Sequence, residues 1–224
     1  MDIVDAIRTR KSVRGFKPEP VPKEILSEIL KIAVHAPSAM NIQPWEFTMI
    51  SGEVLENVRR NNVEKLSSGE QPHPDCVMAS WPADSVYRVR QVELAKKIFQ
   101  LMEIRQEEKE KKARWAERGF RYFDAPAAII ISVDRSLSEA GPLLDIGAVM
   151  QNICLAALNY GLGTCVENQG LMYPDVLRKF TGLPESKRIV ITIAIGYPDP
   201  YFPANKLESG RGHVDNTTTW CGFE

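Results

Sequence analysis

The sequence predicts an α+β protein built as one domain, and three observations carry that expectation. Two runs, 126–133 and 188–195, are almost continuously apolar and rich in β-branched residues, the pattern of strands buried on both faces. Between and before them lie stretches with apolar residues at helical spacing. No shift in composition, repeat or low-complexity tract divides the 224 residues, a length that suits one large domain or two small ones.

Taken in order, Ile3, Val4, Ala6 and Ile7 fit one face of a short helix. Residues 7–16 then hold Arg8, Arg10, Lys11 and Arg14 with no acid among them. Arg8, Arg10, Ser12 and Arg14 recur at a spacing of two, so an extended chain would point all four to one side. Guanidinium forks beside a hydroxyl form a phosphate receptor; a solvated basic turn at a helix end is the alternative. Residues 22–36 read as a helix, with Pro22 in its first turn and Ile25, Leu26, Ile29, Leu30, Ile32 and Ala33 as its stripe. Pro37 forces His35 and Ala36 out of it. Pro37, Ser38, Asn41, Gln43 and Pro44 describe a rigid polar loop, either a ligand contact or a plain connection. Residues 45–50 alternate like a strand, with Trp45, Phe47 and Met49 on one face.

Residues 52–66 predict an exposed helix, and 67–84, with Gly69, Pro72, Pro74 and Pro82, a long ordered loop or lid. Trp81, Tyr87 and Arg88 stand where that loop rejoins regular structure. Residues 89–118 read as a long helical stretch, whole or broken, with Val92, Ala95, Ile98, Phe99 and Met102 on one face, ended or bent by Gly119. Its charge run, 107–112, is a solvated face. Gly141 and Pro142 open a helix through residue 160 that is apolar nearly all round except at Asp145, Gln151 and Asn152. Such a helix is central or buried at a subunit interface. Gly161 and Gly163 stop it. Because these glycines follow a helix rather than a strand, they do not make a dinucleotide fingerprint, and a Rossmann fold is excluded. A short helix over 174–180 precedes the second buried strand. The polar segment after Pro200, ending in Trp220 and Phe223, suits wrapping around a partner.

Composition narrows function. A net charge of −1 speaks against nucleic acid as a partner. No apolar run of spanning length and no signal peptide are recognised, which predicts no membrane association. Cys76, Cys154, Cys165 and Cys221 lack Cys-x-x-Cys spacing, and His35, His73 and His213 are scattered, so no metal site is expected. Free thiols in a reducing cytoplasm are the corresponding expectation.

Four separated stretches resemble the motifs of the FMN-dependent nitroreductase family, in the family's order. They are Arg10-Lys-Ser-Val-Arg14, residues 36–45, Gly161-Leu-Gly-Thr-Cys165, and residues 196–200 with Asn205 and Arg211. The segment 67–123 resembles the insert, or lid, of the nitrobenzoate-reductase branch. The resemblance implies an α-β-α sandwich with a central, mainly antiparallel sheet, and an intertwined homodimer whose extension, 200–224, wraps the partner. It implies two FMN molecules at the interface. Arg10, Lys11, Ser12 and Arg211 would hold the phosphate and ribityl chain, with Asn205 nearby and Arg14 at the pyrimidine edge. Pro37, Ser38, Ala39, Asn41 and Gln43 would reach across from the other subunit. Backbone groups of Cys165, Val166, Glu167 and Asn168 would lie along the isoalloxazine. Many members carry proline and then glutamine or isoleucine where Val166 and Glu167 stand, so backbone rather than side-chain roles carry over there.

The implied reaction passes two electrons from NAD(P)H to a small aromatic acceptor, nitroaromatic or quinone-like, by a ping-pong mechanism. No protein nucleophile or base is then needed, and Arg14 would stabilise the negative charge of reduced flavin. Trp81, Tyr87, Arg88, Phe120 and Tyr122 are the candidate acceptor contacts, Arg88 for an acidic one. The scaffold equally resembles reductive dehalogenases, enone reductases and flavin-cleaving enzymes. A flavin-binding protein without turnover and a nucleic-acid-binding protein using the basic N-terminal stretch are the readings from other classes.

Overall fold

The computed structural model describes residues 2–77 and 80–223. Met78 and Ala79, within the expected loop 67–84, fall outside it, as do Met1 and Glu224. Strands β1 (Glu46–Ser51), β2 (Ala127–Asp134), β3 (Gly163–Glu167) and β4 (Lys187–Gly196) form one antiparallel sheet in the order β1-β2-β4-β3. The two apolar runs are its middle pair, with Ile129 opposite Ile193 and Ile131 opposite Ile191. They need no polar face because both sides of the sheet are covered.

On one side, Ile129, Ile131, Ile193 and Ile195 pack with Leu26 and Ile29 of α2 (Lys23–Ala33) and with Ile146, Val149 and Ile153 of α6 (Gly141–Asn159). On the other, Ala128, Ile130 and Ala194 pack with Leu55 and Val58 of α3 (Gly52–Ser68) and with Val176 and Leu177 of α7 (Pro174–Thr181). Each fully buried aliphatic side chain contributes about 1.5–3 kcal/mol over leaving it in water. The result is the expected α-β-α sandwich. By length and composition α6 would cross a bilayer, contrary to the expectation that no run would. Here it is a core helix, pressed between α2 and the sheet.

Two expectations change, and of the two forms left open for 89–118 the broken one holds. Residues 163–167 are a strand, not merely the sequel to a helix stop. β3 is short and at the edge, paired with β4 and bridged on its free side at Ser12–Thr164. A Cβ on Gly163 would lie 2.5 Å from Val13 Cγ2 and 2.9 Å from Pro198 Cγ, so this glycine serves a close approach. The stretch 89–118 is two helices, α4 (Val86–Leu101) and α5 (Lys109–Phe120). Glu103 has a left-handed backbone at the break, and the Glu108 carboxylate accepts from Arg105 N at 2.7 Å. Gly119 neither ends nor bends α5; it lies in its last turn, where a Cβ would meet the Gln169 side chain at 1.8 Å.

The segment after α3 is latched to the body by Asp75. This carboxylate accepts from Arg178 and Arg135, each at 2.6 Å, and from Ile189 N at 2.9 Å. Burial pushes the Asp75 pKa upward, but the Arg178 hydrogen bond, the Ile189 amide and the two guanidinium charges together outweigh it and leave it lowered.

Candidate functional site

The basic N-terminal stretch is placed by the edge of β3. Helix α1 (Ile3–Thr9) is capped by Asp2, whose side chain accepts from Val4 N at 2.9 Å, and it ends at Arg10. Arg8 therefore belongs to the helix rather than to the extended row. Beyond it the chain lies along β3: Val13 N donates to Thr164 O at 2.9 Å, and Phe16 bridges to Pro198. Val13 and Gly15 turn inward and are buried, while Arg10, Ser12 and Arg14 are half-buried on the other side. They look toward two thiols. Burial pushes Cys165 up to about 12, against the opposing influence of Arg14 and of a Ser12 hydrogen bond. Burial likewise raises Cys154, opposed by Thr164 and Arg10. None of the four cysteines forms a disulfide among the described residues.

A cleft of about 720 Å³ opens between this stretch and the C-terminal segment. Arg8, Arg10 and Lys11 stand on one wall, and Ser209 and Arg211 on the other, with Glu208 the one acid among them. Residues from opposite ends of the chain thus line one cleft.

Arg14 is held from three directions. Its N–H donates to Asn205 Oδ1 at 2.7 Å, its C=O accepts from Arg118 Nη2 at 3.2 Å, and its own Nη1 reaches Ser12 O at 3.4 Å. Asn205 also accepts from Gly15 N and donates to Gly15 O and Asp199 O, so its whole amide is engaged within the chain. Its place is behind Arg14. Arg118 stacks over the Phe202 ring with 4.8 Å from Cζ to the centroid, and that ring fills the space where a Gly15 Cβ would be. Arg118 was not legible in advance: it lies beyond the charge run 107–112, at the end of a stretch that reads only as helical.

The loop at 37–43 forms none of the walls of that cleft. Its backbone is left-handed at Met40, Asn41 and Gln43, a conformation that costs non-glycine residues and needs support. Support comes from Ser38 Oγ, which accepts from Gln43 N at 3.0 Å, and from buried Asp145 of α6, both of whose oxygens accept from Ala39 N at 3.3 Å. Asp145, a polar exception in an apolar helix, has this as its reason. Pro37, Ala39, Asn41 and Gln43 are exposed on this chain.

At the end of β3, Val166 is half-buried and the Glu167 side chain turns into the protein. Its Oε2 accepts from Gly170 N at 2.9 Å and its Oε1 from Thr192 Oγ1 at 2.7 Å. Burial raises its pKa to about 7, partly opposed by these hydrogen bonds. The Gly170 carbonyl accepts from Tyr122 Oη at 2.7 Å and from Asn62 Nδ2 at 3.3 Å. The turn 167–170 is therefore fixed from three directions, by Thr192, Tyr122 and Asn62. Asn62 was also missed, although its spacing from Leu55 and Val58 puts it on the buried face of α3. Asn168 Oδ1 is buried and has no partner.

The aromatic candidates divide. Trp81, Tyr87 and Arg88 are exposed. Phe120 and Tyr122 are not available to an acceptor: both are buried in the second core, Tyr122 completely. Three successive left-handed residues, Tyr122, Phe123 and Asp124, turn these rings inward, and the tyrosine hydroxyl is spent on Gly170.

The donor set fits a flavin mononucleotide. The clustered cations would suit a phosphate, Arg14 is a fixed positive charge, and Asn168 Oδ1 has no partner among the described residues. Comparison with known proteins agrees. The nitroreductase family model matches residues 7–197. The chain is 32% identical over 219 residues to a nitrobenzene nitroreductase of Ectopseudomonas oleovorans, covering 97% of this chain and 96% of that one. It is 29% identical over 231 residues to a 4-nitrobenzoate reductase of Pseudomonas putida, covering 100% and 97%. The crystal structure of the FMN and NADPH-dependent nitroreductase NfnB from Sphigopyxis sp. strain HMH superposes with a TM-score of 0.94 at 25% identity, over the whole of both chains. With motifs, sheet order and full-length matches all in accord, this chain belongs to the nitroreductase family.

Proposed function

We propose that the protein is an FMN-dependent oxidoreductase that uses NAD(P)H to reduce small aromatic acceptors, nitroaromatics foremost. The observation that carries this is the cleft where Arg8, Arg10 and Lys11 meet Arg211. Arg10 and Arg211 neutralise the cofactor phosphate, and Ser12 adds a hydroxyl donor. Bound there, FMN would supply the two-electron chemistry that links the nicotinamide to the acceptor. Arg14, fixed by Asn205 and Arg118, supplies the cation that favours the negatively charged reduced form. Residues 165–168 present backbone groups held still by the Glu167 clamp. Trp81, Tyr87 and Arg88 remain as acceptor contacts.

The site is completed by a second copy. Ile3, Val4 and Ile7 of α1, together with Ile32, Met40, Ile42 and Leu144, are exposed, and Ile3 and Ile32 share a cleft with Leu155 of α6. An apolar surface of this kind marks an interface. Loop 37–43 and the extension after Leu207, both exposed here, suit the partner's site.

The test is anaerobic mixing of purified, FMN-loaded protein with NADH or NADPH. Loss of the oxidised flavin bands, and their return on adding nitrobenzene or 4-nitrobenzoate, is the expected result. Flavin that neither nucleotide reduces within seconds would leave a binding protein without turnover.

A further inference from the structure

Helix α4, the connection 102–108 and the start of α5 enclose a groove of about 590 Å³, a size suited to a small organic ligand. Val92, Phe99 and Ile104 give it an apolar lining. Arg88, Lys96 and Lys112 also line it, with no acid among its residues. Of the acids nearby, Glu107 and Glu108 pair with Arg105, Glu108 also with Lys111, and Glu110 with Arg114, while Glu93 and Glu103 lie outside the lining. Arg88, Lys96 and Lys112 have no carboxylate partner among the described residues. Arg88 binds the neutral Gln91 amide, and Lys112 donates to Gln106 O at 2.6 Å while standing 5.6 Å from the Phe99 ring centroid. Three uncompensated cations around an apolar, ring-bearing lining are complementary to a molecule that is flat, apolar and singly or doubly anionic.

We propose that this groove is a binding site for an aromatic carboxylate, with Arg88 and Lys96 pairing with the anion and Val92, Phe99 and Ile104 receiving the ring. It shares no lining residue with the cleft of Arg10 and Arg211, so it stands whether or not the flavin reading does. A neutral aromatic of the same size would leave the cations unsatisfied and bind more weakly. The groove thereby gives the insert a selectivity that its exposed aromatics alone would not supply.

The test titrates the purified full-length protein with 2-naphthoate, following ligand fluorescence anisotropy, beside neutral 2-naphthalenemethanol. Flavin absorbance is read in the same samples. The carboxylate is expected to bind at least tenfold tighter than the alcohol. Lys96→Glu and Arg88→Glu should each weaken it tenfold or more with flavin content unchanged, whereas Lys97→Glu, outside the groove, should leave it alone. Both substitutions are at exposed helix positions, and circular dichroism confirms the fold. Equal affinity for acid and alcohol, or carboxylate binding indifferent to both charge reversals, overturns the proposal. Absence of flavin from a protein that still binds naphthoate would count against the enzymatic reading alone.

Discussion

Arg10 and Arg211 lie far apart in sequence and line one cleft, and neither side chain is committed to a carboxylate among the described residues. Removing one charge-assisted donor costs about 1.5–3 kcal/mol of binding. Arg10→Ala or Arg211→Ala should therefore raise the FMN dissociation constant by about ten- to a hundredfold, with the unfolding midpoint unchanged. Asn205→Ala should behave in the opposite way. It strands backbone groups of Arg14, Gly15 and Asp199, and chemical denaturation should show a loss of about 2–5 kcal/mol. Glu167 makes a pH-dependent prediction. Its carboxyl holds a proton more tightly when folded, up to about 7 against its ordinary 4.5. That contribution to stability is complete below 4.5 and is lost as pH rises through about 7. The stability difference between wild type and Glu167→Gln should thus move in favour of the variant from pH 5 to pH 7.5; a difference that stays constant would remove the assignment. At this scale, charge and spacing made Arg10, Ser12 and Arg14 legible. Asn205, Phe120 and Tyr122 were misplaced because type and position do not reveal which way a side chain turns.

At the scale of elements, two joints position the site. The first is the seam between residues 12–16 and β3, where Gly163 lets Val13 and Pro198 come close. Gly163→Val should push the N-terminal stretch off the strand and lower flavin retention more than tenfold, as read from the absorbance of the purified variant. The second is Asp75, which holds the segment after α3 against α7 and β4. Asp75→Ala leaves the largely buried Arg178 with only the exposed Glu185 carboxylate, 3.2 Å from its Nε, and should cost about 3–5 kcal/mol. Because the Asp75 pKa is lowered in the fold, its contribution is present above the ordinary carboxylate range and lost as pH falls below it. Limited proteolysis should cut the variant within 69–85 before the wild type. Elements with a strong period or a continuous apolar run, such as α2, α6, β2 and β4, could be read in advance. β3 could not: five residues at an edge, opened by a glycine, carry too little pattern. Nor could the place of the break between α4 and α5, since the apolar face runs on through Met102.

For the whole molecule, the sandwich follows from two strands with no polar face, which oblige helices to cover both sides of the sheet. The same logic applied to the surface predicts a second copy. Ile3, Val4 and Ile7 repeat on one face of α1 yet are exposed in a single chain. Sedimentation should give a dimer, and Ile3→Glu with Ile7→Glu should shift it toward monomer and release flavin together. A monomer that keeps its flavin would separate the site from the interface.

The central claim is that cations from the two ends of the chain bind one flavin phosphate. The absorbance spectrum of the purified protein, compared with that of the Arg10→Ala, Arg211→Ala double variant, tests it most directly. The account predicts flavin bands near one per chain in the first and their loss from a folded second. A colourless wild type that takes up no FMN, or a double variant with full flavin content, would contradict it.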